Sequence, residues 1–233
     1  MKTLKTWGAA AAMVALSGEA QAALVNRGGG MIYDTVRNIT WLADMNYAVT
    51  SGYATANAGG TGANVIQSNG HMGWGAATTW ADNLVYGGFS DWRLPTLNPA
   101  DASCTGGFGV GVGYNCTGGE LSGLFVTDLG RNNNGSGLIT SDDTAEQIAN
   151  LDLFSNVRSG AYWSGTEYAP NPAYAWFFNA FDGGQNGAVK NAALYAVAVR
   201  PGDVAASVPE PQTLALALLA LGATVVARRR RPA

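Results

Sequence analysis

Carboxylates are the side chains of this 233-residue sequence that could carry out acid–base chemistry. Two carboxyl groups can hydrolyse a glycoside when they flank the scissile bond at roughly 5 to 9.5 Å from each other. Glu120 with Asp128, or Glu167 with Asp182, could supply such a pair. The separation within each pair depends on the fold, so a secreted carbohydrate-active hydrolase stays open as an alternative function.

Histidine adds little to these catalytic possibilities. His71 is the only histidine, and it lies in a segment rich in glycine and asparagine. A Ser-His-Asp triad would have to use it, yet the sequence contains no G-x-S-x-G, P-loop or H-E-x-x-H motif. The sequence therefore predicts a non-enzymatic protein with no catalytic residue and no cofactor.

Two acidic segments could hold a cation, but each has a simpler interpretation. Asp142, Asp143 and Glu146 suit the start of a helix, where the helix dipole favours acids and where Ser141 or Asp142 could be the N-cap. Residues 182–186 lack the spacing and distal glutamate of an EF-hand, and their composition indicates a turn. We expect no metal site.

The two cysteines predict a disulfide. Cys104 and Cys116 are the only cysteines, and pairing is the usual outcome in an oxidising compartment. The segment between them contains five glycines and is expected to be a flexible loop. Closing that loop would stabilise the fold by roughly 3 kcal/mol in the chain-entropy description.

Aromatic residues near the end of the chain could form a binding surface. We expect Trp163, Glu167, Tyr168, Trp176 and Asn179 to form a ligand face on the late strands. Exposed Trp and Tyr rings would stack on sugars there, while the amide and the carboxylate would bond to sugar hydroxyls.

Two charged and aromatic segments could contact a ligand or stabilise the fold, and the structural role is favoured. Asp91-Trp92-Arg93 and Tyr162-Trp163 could also contact a ligand. A buried arginine, however, needs a carboxylate or carbonyl partner, and tryptophans fill the core of small sheets. Both segments are therefore expected to hold the fold together.

The elements that would position these residues follow from the apolar pattern. Residues 75–86 and 120–129 carry apolar side chains at helical spacing and predict two helices. Residues 47–70 show no period and predict a long loop. Strands are predicted at 31–34, 38–42, 162–168, 173–181 and 188–200, with a hairpin turn at 182–187. The pattern predicts an α+β fold with an antiparallel sheet and long loops.

The start of the chain predicts export. Lys2 and Lys5 precede an uncharged apolar run, and small residues at Ala20 and Ala22 suit cleavage by signal peptidase. The run is too short to span a bilayer. Residues 1–22 are therefore expected to be a signal peptide, with the mature domain covering residues 23–207.

The other end predicts a hydrophobic helix that anchors the chain in the membrane before processing. Its apolar stretch, residues 213–227, would rise only about 22 Å as a helix, which is short for a bilayer core of about 30 Å. A basic cluster would hold it on the cytoplasmic side. The residues before the stretch are Val208, Pro209, Glu210 and Pro211, and those after it are Arg228, Arg229, Arg230 and Arg231.

This end, residues 208–233, resembles the PEP-CTERM sorting tail of Gram-negative bacteria that produce exopolysaccharide. The resemblance implies recognition by an exosortase, a membrane protease, with release or transfer to the cell surface or the extracellular matrix. A plain C-terminal anchor is the alternative, and it would place the domain on the same side of the membrane.

The charge of the domain between the two ends excludes nucleic acid as a partner. Residues 23–207 contain fourteen acids and seven bases, so their net charge is near −7, against −3 for the whole chain. Such a domain repels phosphate backbones.

Several segments of this domain resemble the Lcl C-terminal-domain family, over about residues 31–203. The resemblance implies a C-type-lectin-like fold, with two helices and a small, twisted antiparallel sheet, and a role in adhesion or in binding polysaccharide or glycosaminoglycan. The calcium-site signatures of C-type lectins are missing, which argues against calcium-mediated sugar binding. The segments are Asp34 to Leu42, Trp80, Asp91 to Thr96, Glu120-Leu121, Tyr162 to Thr166 and Ala198 to Gly202.

Overall fold

The computed structural model describes residues 24–130 and 143–204. Within these ranges, nine strands form two antiparallel sheets, and the helices are short. The α+β prediction is confirmed at this level. The expectation of a single small sheet is wrong, because the segment between the cysteines adds two strands and the N-terminal strands pair among themselves.

The four-stranded sheet has the order β1-β2-β3-β9. It contains β1 (Leu24–Gly28), β2 (Met31–Asp34), β3 (Ile39–Leu42) and β9 (Val199–Pro201). Asp34 starts the β2–β3 turn, since its Oδ1 accepts hydrogen bonds from the backbone amides of Val36 and Arg37. The strands predicted at 31–34 and 38–42 are thus present.

Both ends of the described domain lie at the same end of this sheet. The register places Leu24 beside Asp34, Asp34 beside Ile39, and Ile39 beside Pro201. With neighbouring strands about 4.8 Å apart, the first and last residues of this row are about 14 Å from each other. The first strand of the sheet therefore begins where its last strand ends.

The five-stranded sheet has the order β4-β5-β8-β7-β6. Its strands are β4 (Thr105–Gly109), β5 (Val112–Tyr114), β6 (Ala161–Glu167), β7 (Tyr174–Asn179) and β8 (Gly184–Val189). The hairpin turn is at residues 180–183, earlier than predicted. The strand predicted at 188–200 is also wrong: a non-strand segment, 190–198, separates β8 from β9.

The helices are more numerous than the two predicted. They are α1 (Tyr47–Thr50), α2 (Tyr53–Ala56), α3 (Trp74–Asp82), α4 (Glu120–Ser122) and α5 (Ala145–Leu151). A 3-10 turn at Gly62–Asn64 and a π-helical turn at Gly123–Asp128 complete the set. The predicted loop 47–70 thus contains α1 and α2, and the predicted helix 120–129 is α4 continued by the π-helical turn.

Two of these helices differ in their ends from the prediction. Helix α3 stops at Asp82, four residues early, where the Asn83 side chain donates to the Thr79 carbonyl. Helix α5 is capped by Thr144, whose hydroxyl accepts from the Gln147 amide while the Gln147 side chain accepts from the Thr144 amide. The structure thus places the N-cap at Thr144, and the predicted N-caps, Ser141 and Asp142, lie outside the described residues.

Apolar clusters cover both faces of the five-stranded sheet. One contains Trp41, Phe125, Tyr162 and Phe178, and the other contains Trp163 and the inner face of α3. Strand β7 contributes to both, because Trp176 and Phe178 face the first cluster while Ala175 and Phe177 face the second. The sheet is therefore buried on both sides over much of its area.

Within the described ranges, no helix has the length and apolar character that a membrane span needs. The predicted signal peptide (1–22), sorting motif (208–211), apolar stretch (213–227) and arginine cluster (228–231) all lie outside these ranges.

Candidate binding cleft on the five-stranded sheet

The charged residues of the Asp91-Trp92-Arg93 segment bind other parts of the domain. Asp91 accepts two hydrogen bonds from Arg200, and the guanidinium of Arg200 also lies over the Phe89 ring. Arg93 donates to both carboxylate oxygens of Glu120, each at 2.7 Å. Trp92 is buried. These contacts join the segment to α4 and β9, as its structural interpretation expects.

Three of the four carboxylates proposed for the catalytic pairs have basic partners. Arg93 binds Glu120, Arg37 binds Asp128 at 2.6 Å, and Lys190 binds Glu167 at 2.9 Å. Two different arginines thus hold the members of the first pair.

The predicted ligand face requires a correction for its two tryptophans. Trp163 has no exposed surface, and Trp176 is 3% exposed. The indole nitrogen of Trp163 donates to the Met72 carbonyl at 2.8 Å. Trp163 lies opposite Phe177, and Trp176 precedes Phe177 on β7. Because successive strand residues point to opposite sides of a sheet, the two rings face opposite clusters. They fill the core and cannot stack on a ligand at the surface.

The other three predicted ligand-face residues have different environments. Glu167 is exposed and bound to Lys190. Tyr168 is half-buried, with its ring 5.2 Å from that of Trp176. Asn179 lies at the end of β7 and lines a cleft. The five residues therefore do not form one surface.

The cleft that includes Asn179 has a volume of about 280 Å³. It lies where β5, β8 and β7 are adjacent, and glycines of the β4–β5 hairpin form one wall. Its side chains combine rings with polar groups. They are Val112, Tyr114, Phe177, Asn179, Asp182, Gln185 and Asn186.

Gly184 makes the floor of this cleft. The register places it between Tyr114 and Asn179, so these two side chains share one face of the sheet across a residue without a side chain. A Cβ at Gly184 would lie 3.1 Å from both the Tyr114 ring and Asp182 Oδ1. The absence of that atom leaves space between the ring and the polar groups.

Local hydrogen bonds fix the polar groups of the cleft. Asn179 Oδ1 accepts from the Phe181 amide, Asp182 Oδ1 accepts from the Gly184 amide, and Asn186 Oδ1 accepts from the Gly187 amide. Within the described part of the chain, no hydrogen bond occupies Asn179 Nδ2, Asp182 Oδ2 or the Tyr114 hydroxyl. The cleft thus offers donors and an acceptor in fixed positions.

The wall formed by the β4–β5 hairpin is held at both ends. Gln185 donates through Nε2 to the carbonyls of Gly111 and Asn98, at 2.6 and 3.2 Å. At the other end, the predicted disulfide between Cys104 and Cys116 is present. The glycine-rich segment between the cysteines is therefore a strand pair and forms part of the cleft.

Replacing Cys104 and Cys116 together by serine should lower the free energy of unfolding by about 3 kcal/mol. The sequence separation of the two cysteines is 12, and the denatured chain loses its main constraint on that segment. Urea unfolding of the exported protein, with and without reductant, measures the loss. An effect of reductant on the double variant equal to that on the wild type would contradict the prediction.

The described residues contain little that could form a metal site. Asp101, Cys104 and Cys116 form the one group there with suitable spacing. Its two sulfurs are joined to each other, and the Asp101 carboxylate accepts from Ser103 and from the Gly118 amide. His71 lies apart from them, with its ring 4.1 Å from that of Tyr195, and burial lowers the pKa of His71.

Acid should destabilise the domain through Glu120 and Asp101. Burial by itself would raise the pKa of Glu120, yet hydrogen bonds from Arg93 and Thr96 leave this pKa below its ordinary value. Bonds from Ser103 and Gly118 do the same for the pKa of Asp101. A lowered pKa in the folded state stabilises the protein above the unfolded pKa, and that contribution disappears as the pH falls through the folded pKa.

We therefore expect the free energy of unfolding to fall as the pH drops below about 4. Glu120→Gln should be less stable than the wild type at neutral pH, and the difference should shrink in acid. Urea midpoints measured over this pH range test both statements. A difference that stays constant in acid would show that Glu120 contributes through packing alone.

The sorting tail is the part of the chain that comparison with known proteins identifies. Residues 207–231 match the PEP-CTERM protein-sorting motif. A search of curated proteins found no match to the chain. The match to the sorting motif confirms the expectation for this end of the chain. The protein is exported, is sorted by an exosortase as in Gram-negative bacteria, and has a transient membrane anchor.

Proposed function

We propose that the exported domain is a non-enzymatic module that binds polysaccharide of the extracellular matrix in the cleft around Gly184. The observation that carries the proposal is the combination of an aromatic ring, an amide and a carboxylate across a glycine floor. Small-ligand sites pair apolar lining with a few fixed polar groups in this way. The resemblance to the Lcl C-terminal-domain family supports the same ligand class.

The positions of the carboxylates favour binding over hydrolysis. Among the described residues that line the cleft, Asp182 is the one carboxylate. Glycoside hydrolysis needs a second carboxyl group across the scissile bond. Glu167, its predicted partner, is bound to Lys190 and does not line the cleft.

The sorting tail supports a location where such a ligand is present. The tail begins directly after the domain, and the chain leaves the four-stranded sheet at the end where it entered. Signal peptidase and the exosortase would therefore process segments that meet the domain on one side. The processed domain would be released to the cell surface or matrix, with no part in nucleic-acid binding.

The test is a pull-down of the exported protein with matrix polysaccharide from a Gram-negative host that has an exosortase. Tyr114→Ala and Asn179→Ala should each reduce the bound fraction severalfold, since each removes one contact in the cleft. Tyr53→Ala and Asn57→Ala are matched controls outside the cleft, and they should bind as the wild type does. Release of reducing sugars by the wild type would favour the hydrolase, and equal binding by all variants would exclude the cleft.

A further inference from the structure

We propose that the cleft selects uncharged, hydroxyl-rich sugar chains and rejects anionic polysaccharides. This inference rests on the proposed function and names its ligand class. It departs from the glycosaminoglycan binding that the family resemblance implies, because the charges around the cleft oppose that class of ligand.

Charge is the first argument. The described residues lining the cleft include Asp182 and no lysine, arginine or histidine. A uronate or sulfate group placed there would meet a carboxylate and no cation, and burying an unpaired charge is costly. The net charge near −7 of residues 23–207 adds repulsion at longer range.

Strands β7 and β8 carry no basic side chain, and the lysine that follows β8 is already engaged. Lys190 follows β8, and its ammonium binds the Glu167 carboxylate at 2.9 Å and lies 4.3 Å from the centre of the Trp74 ring. A ligand anion would have to compete with both contacts.

The unoccupied hydrogen-bonding atoms are the second argument. Asn179 Nδ2 can donate, Asp182 Oδ2 can accept, and the Tyr114 hydroxyl can do both. A sugar hydroxyl is also both a donor and an acceptor, so neighbouring hydroxyls can satisfy all three atoms. The Tyr114 ring offers an apolar face to the C–H groups of a pyranose.

The floor is the third argument. The free space lies beside the ring because Gly184 has no side chain, and an alanine there would crowd both Tyr114 and Asp182. A volume of about 280 Å³ is at the small end of the range for ligand sites. It suits a short stretch of a sugar chain rather than a protein.

The experiment compares binding of the exported protein to soluble polymers by affinity electrophoresis and calorimetry. The neutral polymers are dextran, a mixed-linkage β-glucan and a galactomannan, and the anionic ones are alginate and heparin. We expect binding to at least one neutral polymer and none to the anionic ones. Between about 0.05 and 0.5 M salt, the affinity for the neutral polymer should change less than twofold, because no ion pair is involved.

Variants connect the selectivity to the cleft. Tyr114→Ala, Asn179→Ala and Gly184→Ala should each weaken neutral binding about tenfold, the loss that follows from about 1.4 kcal/mol. Asp182→Lys should lose neutral binding and gain salt-sensitive alginate binding. Asp152→Lys, at the exposed end of α5, makes the same charge change outside the cleft and should alter neither. Thermal unfolding of each variant confirms that it is folded.

The two proposals fail in different ways. Alginate or heparin binding by the wild type that Tyr114→Ala removes would overturn the selectivity and keep the cleft as the binding site. Failure of every neutral polymer, together with cleft-dependent binding of matrix polysaccharide, would also overturn the selectivity. Absence of cleft-dependent binding to any polymer or to the matrix would overturn the proposed function itself.

Discussion

Replacing Arg37 by methionine should lower the free energy of unfolding by about 3 to 5 kcal/mol at neutral pH. Arg37 Nη1 lies 2.5 Å from Asp34 Oδ2 and 2.6 Å from Asp128 Oδ2. Asp34 has no exposed surface, and Asp128 is 6% exposed. Removing the cation leaves two buried carboxylates without a counter-charge. Domains are typically stable by about 5 to 15 kcal/mol, so the variant should be close to unfolding.

The pH dependence of this loss separates charge from packing. Burial raises the pKa of Asp128 in the wild type, and attraction to Arg37 opposes that rise. Without Arg37 the folded-state pKa should rise further. A raised carboxyl pKa favours the folded state as the pH falls through it, so the deficit of the variant should shrink in acid.

Urea unfolding of the exported protein at several pH values makes the measurement. Arg158→Met is the matched control, because Arg158 is exposed and forms no ion pair within the described ranges. It should change the stability by less than about 0.5 kcal/mol. A loss under about 1 kcal/mol for Arg37→Met, or a deficit that does not change with pH, would contradict the role given to this ion triad.

Replacing Trp163 by alanine should lower the free energy of unfolding by about 3 to 5 kcal/mol. The ring has no exposed surface, and its N–H donates to the Met72 carbonyl. Alanine removes the packing and one of the two hydrogen bonds to the Met72 carbonyl, which keeps the Leu194 amide as a donor. Trp163→Phe keeps most of the packing and should cost about 0.5 to 1.5 kcal/mol through the lost hydrogen bond.

The same variants decide whether Trp163 belongs to the core or to a ligand face. Thermal unfolding and polysaccharide binding are measured in parallel. Trp163→Phe should be less stable but should bind as the wild type does, whereas Phe181→Ala, at an exposed ring, should leave stability nearly unchanged. If Trp163→Phe kept full stability but lost binding, Trp163 would belong to the ligand face after all.

Much of the local structure could be predicted because its signals are local. The strands at 31–34 and 38–42 are joined by a turn that one side chain, Asp34, organises through two nearby amides. Apolar spacing predicts a helix at 75–86, and the structure has it at Trp74–Asp82. Pairing of Cys104 with Cys116 required no choice, since no other cysteine exists.

The β7–β8 turn was misplaced because its composition suggests a turn over too long a stretch. Residues 182–187 are glycine, asparagine, aspartate and glutamine, which occur often in turns. The structure uses 180–183 for the turn and pairs Gly184, Gln185 and Asn186 with β7. These residues form a strand because they lie opposite β7, and amino-acid composition does not reveal that pairing.

The cleft was missed for the same reason. The sequence predicts Asn179 as a ligand residue, but it predicts a flexible loop, a strand and a turn for the segments that contain Tyr114, Phe177 and Asp182. Tyr114 meets the other residues only because β5 pairs with β8, whose paired residues are 70 and 72 positions apart in sequence. A pattern within one segment cannot reveal which distant strand lies beside it.

The sequence by itself determined the sorting of this protein, its disulfide and the mixed fold class, because each depends on residues that are close together or have no alternative partner. Only the tertiary structure decided which aromatic residues are core. Both faces of β7 are covered, so the alternation that marks a half-exposed strand is missing there and Trp176 and Phe177 have the same apolar character. The partners of the charged residues are also distant, as in Arg37 with Asp128 and Arg200 with Asp91. Chain topology brings them together, and it likewise creates the cleft.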